Sequence, residues 1–236
     1  MHGLGAIFAD RREAGRALAA RLEPYAARRP VVLALPRGGA PVAYEVAVAL
    51  DAPLEVLFVR KIGAPGHAEL GIGAVVDGAH PQVVLNPQLE ELTGATPAYV
   101  EAQVRSELEE IERRRRAYLG GREPVPVRDR TVLLVDDGIA TGGTVRAALK
   151  GLKRAGARQV VLAVPVAPPD ILPILRREAD EVVVLETPEP FMAVGLWYAD
   201  FAQTTDEEVV SLLEAARRRP RETHPGETPR RTPPPP

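Results

Sequence analysis

Residues 132 to 144, Val-Leu-Leu-Val-Asp-Asp-Gly-Ile-Ala-Thr-Gly-Gly-Thr, constrain this chain more than any other stretch. Four apolar residues, Val132 to Val135, read as a strand buried on both faces, as in a parallel sheet. Asp136 and Asp137 stand where that strand ends. A loop of small residues follows and opens into a helix with Val145, Ala148, Leu149 and Leu152 on one face and Gly156 as its stop. Glycine, alanine and threonine let backbone N–H groups and hydroxyls converge on one phosphate without side-chain clash, and the helix adds the positive end of its dipole. The carboxylates are acceptors for vicinal hydroxyls and suit an oxygen-liganded cation such as Mg²⁺. The combination implies a site for a phosphorylated sugar at the C-terminal end of a parallel strand.

Two plainer readings account for less. A strand ending in Asp-Asp also occurs in P-loop ATPases, but the chain contains no G-x-x-x-x-G-K-[ST]. An acidic turn closing a core strand leaves Thr141-Gly142-Gly143-Thr144 without a purpose.

At these residues the chain resembles the type I phosphoribosyltransferases, whose signature is an apolar strand, two acidic residues and a Gly/Ala/Thr-Gly-x-Thr loop. The resemblance implies binding of phosphoribosyl pyrophosphate (PRPP) with Mg²⁺. Asp136 and Asp137 would face the ribose hydroxyls and hold the metal directly or through water. Gly138 and Ile139 lead into Ala140 to Thr144, the part of the loop that would wrap the 5-phosphate. It also implies a Rossmann-like core with a small hood and a helical and hairpin insert.

The remaining segments fit that frame. Val31 to Leu35 reads as a second buried strand, running into Pro36-Arg37-Gly38-Gly39 and a helix from about Pro41 to Leu50. Glycines there allow close approach to an anion, and Arg37 can grip phosphate oxygens with its fork. The family keeps its pyrophosphate loop here, often with unusual peptide geometry. A third strand is expected over 54–59, ending in Arg60-Lys61. The glycine-rich stretch 62–73, which includes His67, is expected as an aperiodic lid. By the resemblance Lys61 reaches pyrophosphate, with Arg60 second. Residues 74–77 and 82–85 predict a hairpin, and Thr96-Pro97 starts a helix to Leu119. Glu109–Arg113, Glu110–Arg114 and Glu112–Arg116 are its expected ion pairs, making Arg113 to Arg116 a solvated face rather than a nucleic-acid patch.

Strands over 159–164 and 181–185, with a helix around 171–178, complete the alternation expected of a doubly wound, mostly parallel α/β sheet. The segment 187–204 breaks that rhythm and reads as the hood, loosely similar to the acceptor segment of purine phosphoribosyltransferases. Phe191 and Trp197 are its candidate acceptor contacts, or else a hydrophobic plug, and Asp200 is a further candidate metal ligand. The helix opened by Asp10 is expected to serve packing. A single domain over 1–216 is expected, with its core at 30–186, its loop and insert at 62–125, and a closing helix at 205–216. A Pro/Arg-rich disordered tail is expected over 217–236.

Composition narrows the chemistry. Net charge is −2, cysteine is absent and the four histidines are scattered, which argues against a polyanion partner, thiolate catalysis and a zinc site. No apolar run is long enough to span a bilayer and no signal peptide is evident, so a cytoplasmic location is the default expectation. The expected activity is transfer of phosphoribosyl from PRPP to a nitrogen nucleophile by a protein that is dimeric, as its relatives commonly are. The alternative is a PRPP-sensing regulator that binds nucleic acid.

Overall fold

The strand residues are apolar on both faces, so each strand must be covered twice, and the chain achieves this with helices on both sides of one sheet. The computed structural model describes residues 5–78 and 80–219. Helix α1 (Arg11–Leu22) leads through a 3₁₀ turn to β1 (Val31–Ala34), α2 (Gly39–Ala49) and β2 (Leu54–Val56). A second set follows: β3 (Val59–Ala64), β4 (His67–Val76), β5 (Gln82–Leu85), α3 (Pro87–Thr93) and α4 (Pro97–Leu119). The chain then returns as β6 (Thr131–Val135), α5 (Gly143–Arg154), β7 (Gln159–Val166), α6 (Leu172–Glu178), β8 (Glu181–Glu186) and α7 (Asp206–Arg218).

Five strands form an all-parallel sheet in the order β2-β1-β6-β7-β8. Alternate residues of each strand feed two cores. Leu133 and Val135 of β6 pack with Leu18 of α1, Val46 of α2 and Leu213 of α7. Val132 and Leu134 pack with Val145, Leu149 and Leu152 of α5 and with Leu175 of α6. The expected doubly wound α/β architecture is therefore the observed one. The strands β3, β4 and β5 form a separate antiparallel sheet that lies against α5.

Two expectations are corrected here. The single strand expected over 54–59 is split. Pairing with β1 ends at Ala34↔Val56, with one more bond from Leu57 N–H to the Ala34 carbonyl at 2.9 Å. Beyond it the chain is captured by the other sheet, where Asp77 N–H donates to the Phe58 carbonyl at 2.8 Å. The stretch 62–73 is not an aperiodic loop but most of the β3–β4 hairpin, turning at Pro65-Gly66 where Gly66 has φ 71°. Its glycines serve close strand approach rather than looseness. A Cβ on Gly63 would lie 2.7 Å from the Ala68 carbonyl oxygen, and one on Gly73 only 2.5 Å from that of Val84.

The long helix has its expected bounds, with the Thr96 hydroxyl accepting Tyr99 N–H at 3.2 Å. Its ion pairs are partly rearranged. Glu110 takes both Arg113 and Arg114, Glu112 takes Arg116, and Arg115 turns to Asp77 at 3.7 Å. Helix α3, capped by Asn86, is an addition to the expected elements. Helix α7 runs to Arg218, two residues further than expected, and Glu214 pairs with Arg218 at 2.7 Å. Most of the expected tail, residues 220–236, lies outside the described residues.

Candidate active site

Because β1 and β6 are neighbours in register, with Ala34 opposite Val135, the loops after them leave the sheet side by side. Leu35 N–H donates to the Val135 carbonyl at 2.9 Å, prolonging the contact by one residue. Here glycine is required by space. A Cβ on Gly38 would lie 2.1 Å from Asp137 Oδ2, and one on Gly39 would lie 2.8 Å from the Val135 carbonyl oxygen. The Pro36–Arg37 peptide is cis. The sequence thus brings Arg37, Gly38, Gly39, Asp136 and Asp137 together. The Arg37 guanidinium is half-exposed and lies 3.6 Å from Asp206, the first residue of α7, whose carboxylate also accepts the Tyr118 hydroxyl.

The loop 138–144 crosses from β6 to α5. Ile139 is buried and its N–H donates to the Val166 carbonyl at 3.0 Å, which anchors the loop to β7. Gly142 caps α5 with φ 74°, the left-handed conformation that favours glycine. Ala140, Thr141, Gly143 and Thr144 are exposed. Among the described residues, the N–H groups from Ala140 to Val145 have no protein acceptor. Six such donors at a helix start, four of them on exposed small residues, are an arrangement that suits an anion.

A cavity of about 510 Å³ opens between this helix start and the hairpin sheet, lined among others by Thr141, Thr144, Lys61 and Asn86. It borders the outer rim of the loop, not the acid pair. Lys61 extends along Gly71, where a Cβ would meet Lys61 Cε at 2.9 Å. Arg60, the second candidate, is engaged by Glu107 of α4 at 2.7 Å. His67 is exposed at the hairpin turn.

The two carboxylates sit in unequal settings. Asp136 Oδ1 accepts the Asp137 N–H at 2.9 Å. Burial, and then the charge of Asp137, hold the Asp136 carboxyl well above the usual carboxylate range, against a smaller opposing pull from Arg11. Asp137 Oδ2 pairs with Arg11 Nε at 2.8 Å. Arg11 belongs to the helix that sequence reasoning assigns to packing alone. Its partner is 126 positions away, so neither spacing nor periodicity carries a signal for it.

The hood packs as a small core of its own. Phe8, Ala14, Val166, Trp197 and Tyr198 are buried together, with Phe191, Val194 and Phe201 against them. Trp197 is 5 % exposed, so of its two sequence readings, acceptor contact and hydrophobic plug, the plug describes its place. Phe191 is half-buried, its ring 6.0 Å from that of Trp197. Val194 covers Gly138, where a Cβ would lie 2.5 Å from Val194 Cγ1. The Tyr198 hydroxyl donates to the Asp137 carbonyl, and burial followed by the Asp137 charge pushes its phenol pKa up. Asp200 is exposed, and its carboxylate accepts Ala202 N–H at 2.9 Å. Among the described residues no group of three or more His, Cys, Asp or Glu side chains is arranged to hold a metal ion, so Asp200 does not complete a cage with the acid pair. No described helix is long and apolar enough to cross a membrane.

Comparison with known proteins gives three findings. The phosphoribosyl transferase domain family matches the chain over residues 5–188. A Mycobacterium tuberculosis protein named "Putative phosphoribosyl transferase" is 47 % identical over 213 residues, covering 90 % of this chain and 47 % of its own length. The chain thus spans about half the length of the curated relatives it matches. The crystal structure of TT1426 from Thermus thermophilus superposes with a TM-score of 0.77 at 44 % identity, covering 87 % of this chain and 97 % of that one.

Proposed function

The chain belongs to the phosphoribosyl transferase domain family, and on that premise we propose that it binds PRPP with Mg²⁺ and transfers the phosphoribosyl group to a nitrogen nucleophile. The observation that carries this reading is the run of N–H groups from Ala140 to Val145, next to the acid pair, that have no acceptor among the described residues. Those amides and the hydroxyls of Thr141 and Thr144 receive the 5-phosphate. Asp136 and Asp137 accept hydrogen bonds from the ribose hydroxyls. Arg37, the amides of Gly38 and Gly39, and Lys61 across the cavity receive the pyrophosphate oxygens.

The donor set fits Mg²⁺. Two carboxylates alone make no cage, and this cation keeps waters and substrate phosphate oxygens among its ligands. When bound through Asp136 and Asp137, it supplies positive charge to the departing pyrophosphate. The work of the chain itself is positioning and charge neutralisation. As the C1–O bond to pyrophosphate breaks and the C1–N bond forms, Arg37 and Lys61 stabilise the charge gathering on the leaving group. The acid pair faces the sugar, where positive charge develops. The hood, through Phe191 and its neighbours, carries the acceptor and excludes water from C1.

Screening a panel of free bases and small amines for pyrophosphate release from PRPP with Mg²⁺ tests the reading, alongside calorimetry of PRPP binding. Release that depends on one acceptor class, with binding weakened in Asp137→Asn, is the expected result. No binding of PRPP by the unaltered chain sinks it.

A further inference from the structure

Arg11 contacts both Asp137 and the hood. Its Nε donates to Asp137 Oδ2 at 2.8 Å and its Nη1 donates to the Ala202 carbonyl at 2.8 Å. Its guanidinium carbon lies 3.8 Å from the centre of the Phe201 ring. A second link runs in parallel, from the Tyr198 hydroxyl to the main-chain carbonyl of Asp137. The hood is thus bonded to Asp137 at both side chain and backbone.

The segment preceding α1 ties the same hood residues down. Ile7 and Phe8 N–H donate to the Trp197 carbonyl at 2.9 and 3.0 Å, while Ala199 and Asp200 N–H donate to the carbonyls of Phe8 and Ala9, both at 2.8 Å. Helix α1 is itself seated firmly, with Ala14, Leu18 and Leu22 buried and Gly15 pressed against the Val42 carbonyl. Arg11 therefore projects from a fixed base. Its planar fork can serve a carboxylate, a carbonyl and an aromatic face at once, which an ammonium cannot.

We propose that Arg11 is a positioning residue that couples the hood to the acid pair. It orients the Asp137 carboxylate for the sugar and holds residues 198–202 in place, so that filling the sugar site is transmitted to the hood. Because such coupling is reciprocal, occupancy of the hood tightens the sugar site by the same factor. The inference rests on the transferase reading and adds to it a route between its two half-sites.

Trp197, the one tryptophan of the chain, reports on the hood from within its core. PRPP with Mg²⁺ is titrated into the unaltered chain, Arg11→Met and Arg11→Lys, with Arg12→Ala as a control on the exposed side of the same helix. Heat and Trp197 emission are read together. In the unaltered chain and in Arg12→Ala, binding heat and an emission change are expected to saturate together. In Arg11→Met, PRPP affinity is expected to fall roughly 10-fold and the emission change to vanish at saturation. Arg11→Lys, which keeps the charge and guards against a fold defect, is expected to regain part of the affinity but not the emission change. Unaltered affinity and emission in both variants overturn the coupling, as does binding without any emission change in the unaltered chain. Absence of binding heat in the unaltered chain overturns the transferase reading instead, and this inference falls with it.

Discussion

The loop after β6 and the hood meet at Asp137, but they are held in different ways. The loop is a main-chain device. Its shape depends on Gly138 and Gly142, its anchor is one backbone bond from Ile139 to Val166, and its donors are backbone amides. The hood is tied by backbone bonds to residues 7–9, but it is filled and joined to Asp137 by side chains, those of Phe8, Arg11, Trp197, Tyr198 and Phe201, which come from segments far apart in the chain. The family match, over residues 5–188, covers the whole of the loop and stops before Phe191. A main-chain device is intolerant of an added atom at those glycines that lack space or take the left-handed conformation. A side-chain device is intolerant of lost atoms at its aromatics and arginine.

The largest effect tests the same lack of space in the neighbouring loop, after β1. Gly38→Ala places a Cβ 2.1 Å from Asp137 Oδ2 and must displace either the carboxylate or the loop after β1. Pyrophosphate release is expected to fall by roughly 100-fold with the circular dichroism unchanged, since misplacement of about 1 Å suffices for such a loss. An alanine variant with ordinary turnover would break the argument that this glycine is there for space.

Next comes the junction of the two devices. In Gly138→Ala the new methyl meets Val194 Cγ1 of the hood at 2.5 Å and Val166 Cγ2 of β7 at 2.8 Å, so the hood side chain and the strand beside it must both shift. The acceptor KM is expected to rise by roughly 10-fold, about what an ill-placed contact in a pocket costs, with a smaller loss of PRPP affinity. Equal losses would mean that loop and hood cannot be disturbed separately.

Lys61 comes from neither device but from the antiparallel sheet. If its charge acts on the leaving group, Lys61→Ala lowers kcat by roughly 10-fold and PRPP affinity by less. Equal losses in the two would assign it to ground-state binding.

Asp77 supplies the smallest effect on ligand and a control on stability. It is 5 % exposed, beside Arg115, and burial raises its carboxyl to about 6. A carboxyl with a raised folded-state pKa stabilises the fold below its unfolded value of 3.8, and that contribution is lost as pH rises through about 6. Asp77→Asn is therefore expected to gain stability over the unaltered chain between pH 4 and 7, by up to roughly 3 kcal/mol. Urea midpoints at the two pH values measure it, and PRPP affinity at pH 7 is expected to stay the same. A stability difference that does not grow with pH would show that Asp77 is not carrying a buried charge.

These contrasts also explain which parts of the molecule are legible in the sequence. The strand β6, its loop and the start of α5 can be read residue by residue, because four apolar positions, two acids and a run of small residues lie within one short window. Helix α4 is equally plain from Thr96-Pro97 to Leu119, since cap, period and stop are local signals. The stretch 62–73 reads as a lid and is a hairpin. Glycines placed for close strand approach look, in sequence, like glycines placed for freedom, and only the partners of Gly63 and Gly73 separate the two. The segment 54–59 reads as one strand because its apolar run continues through Leu57 and Phe58 after its pairing with β1 has stopped.

By itself the sequence determined the alternation of strands and helices, the acid pair and the small-residue loop that follows it. Each of these is written in neighbouring residues, through side-chain period and backbone freedom. Only the tertiary structure decided that Arg11 reaches Asp137, that Arg60 is taken by Glu107, and that Trp197 fills the hood core. Period and propensity say which face of an element is apolar and where it ends. They carry nothing about which distant segment will meet a given charge or ring once the layers have packed.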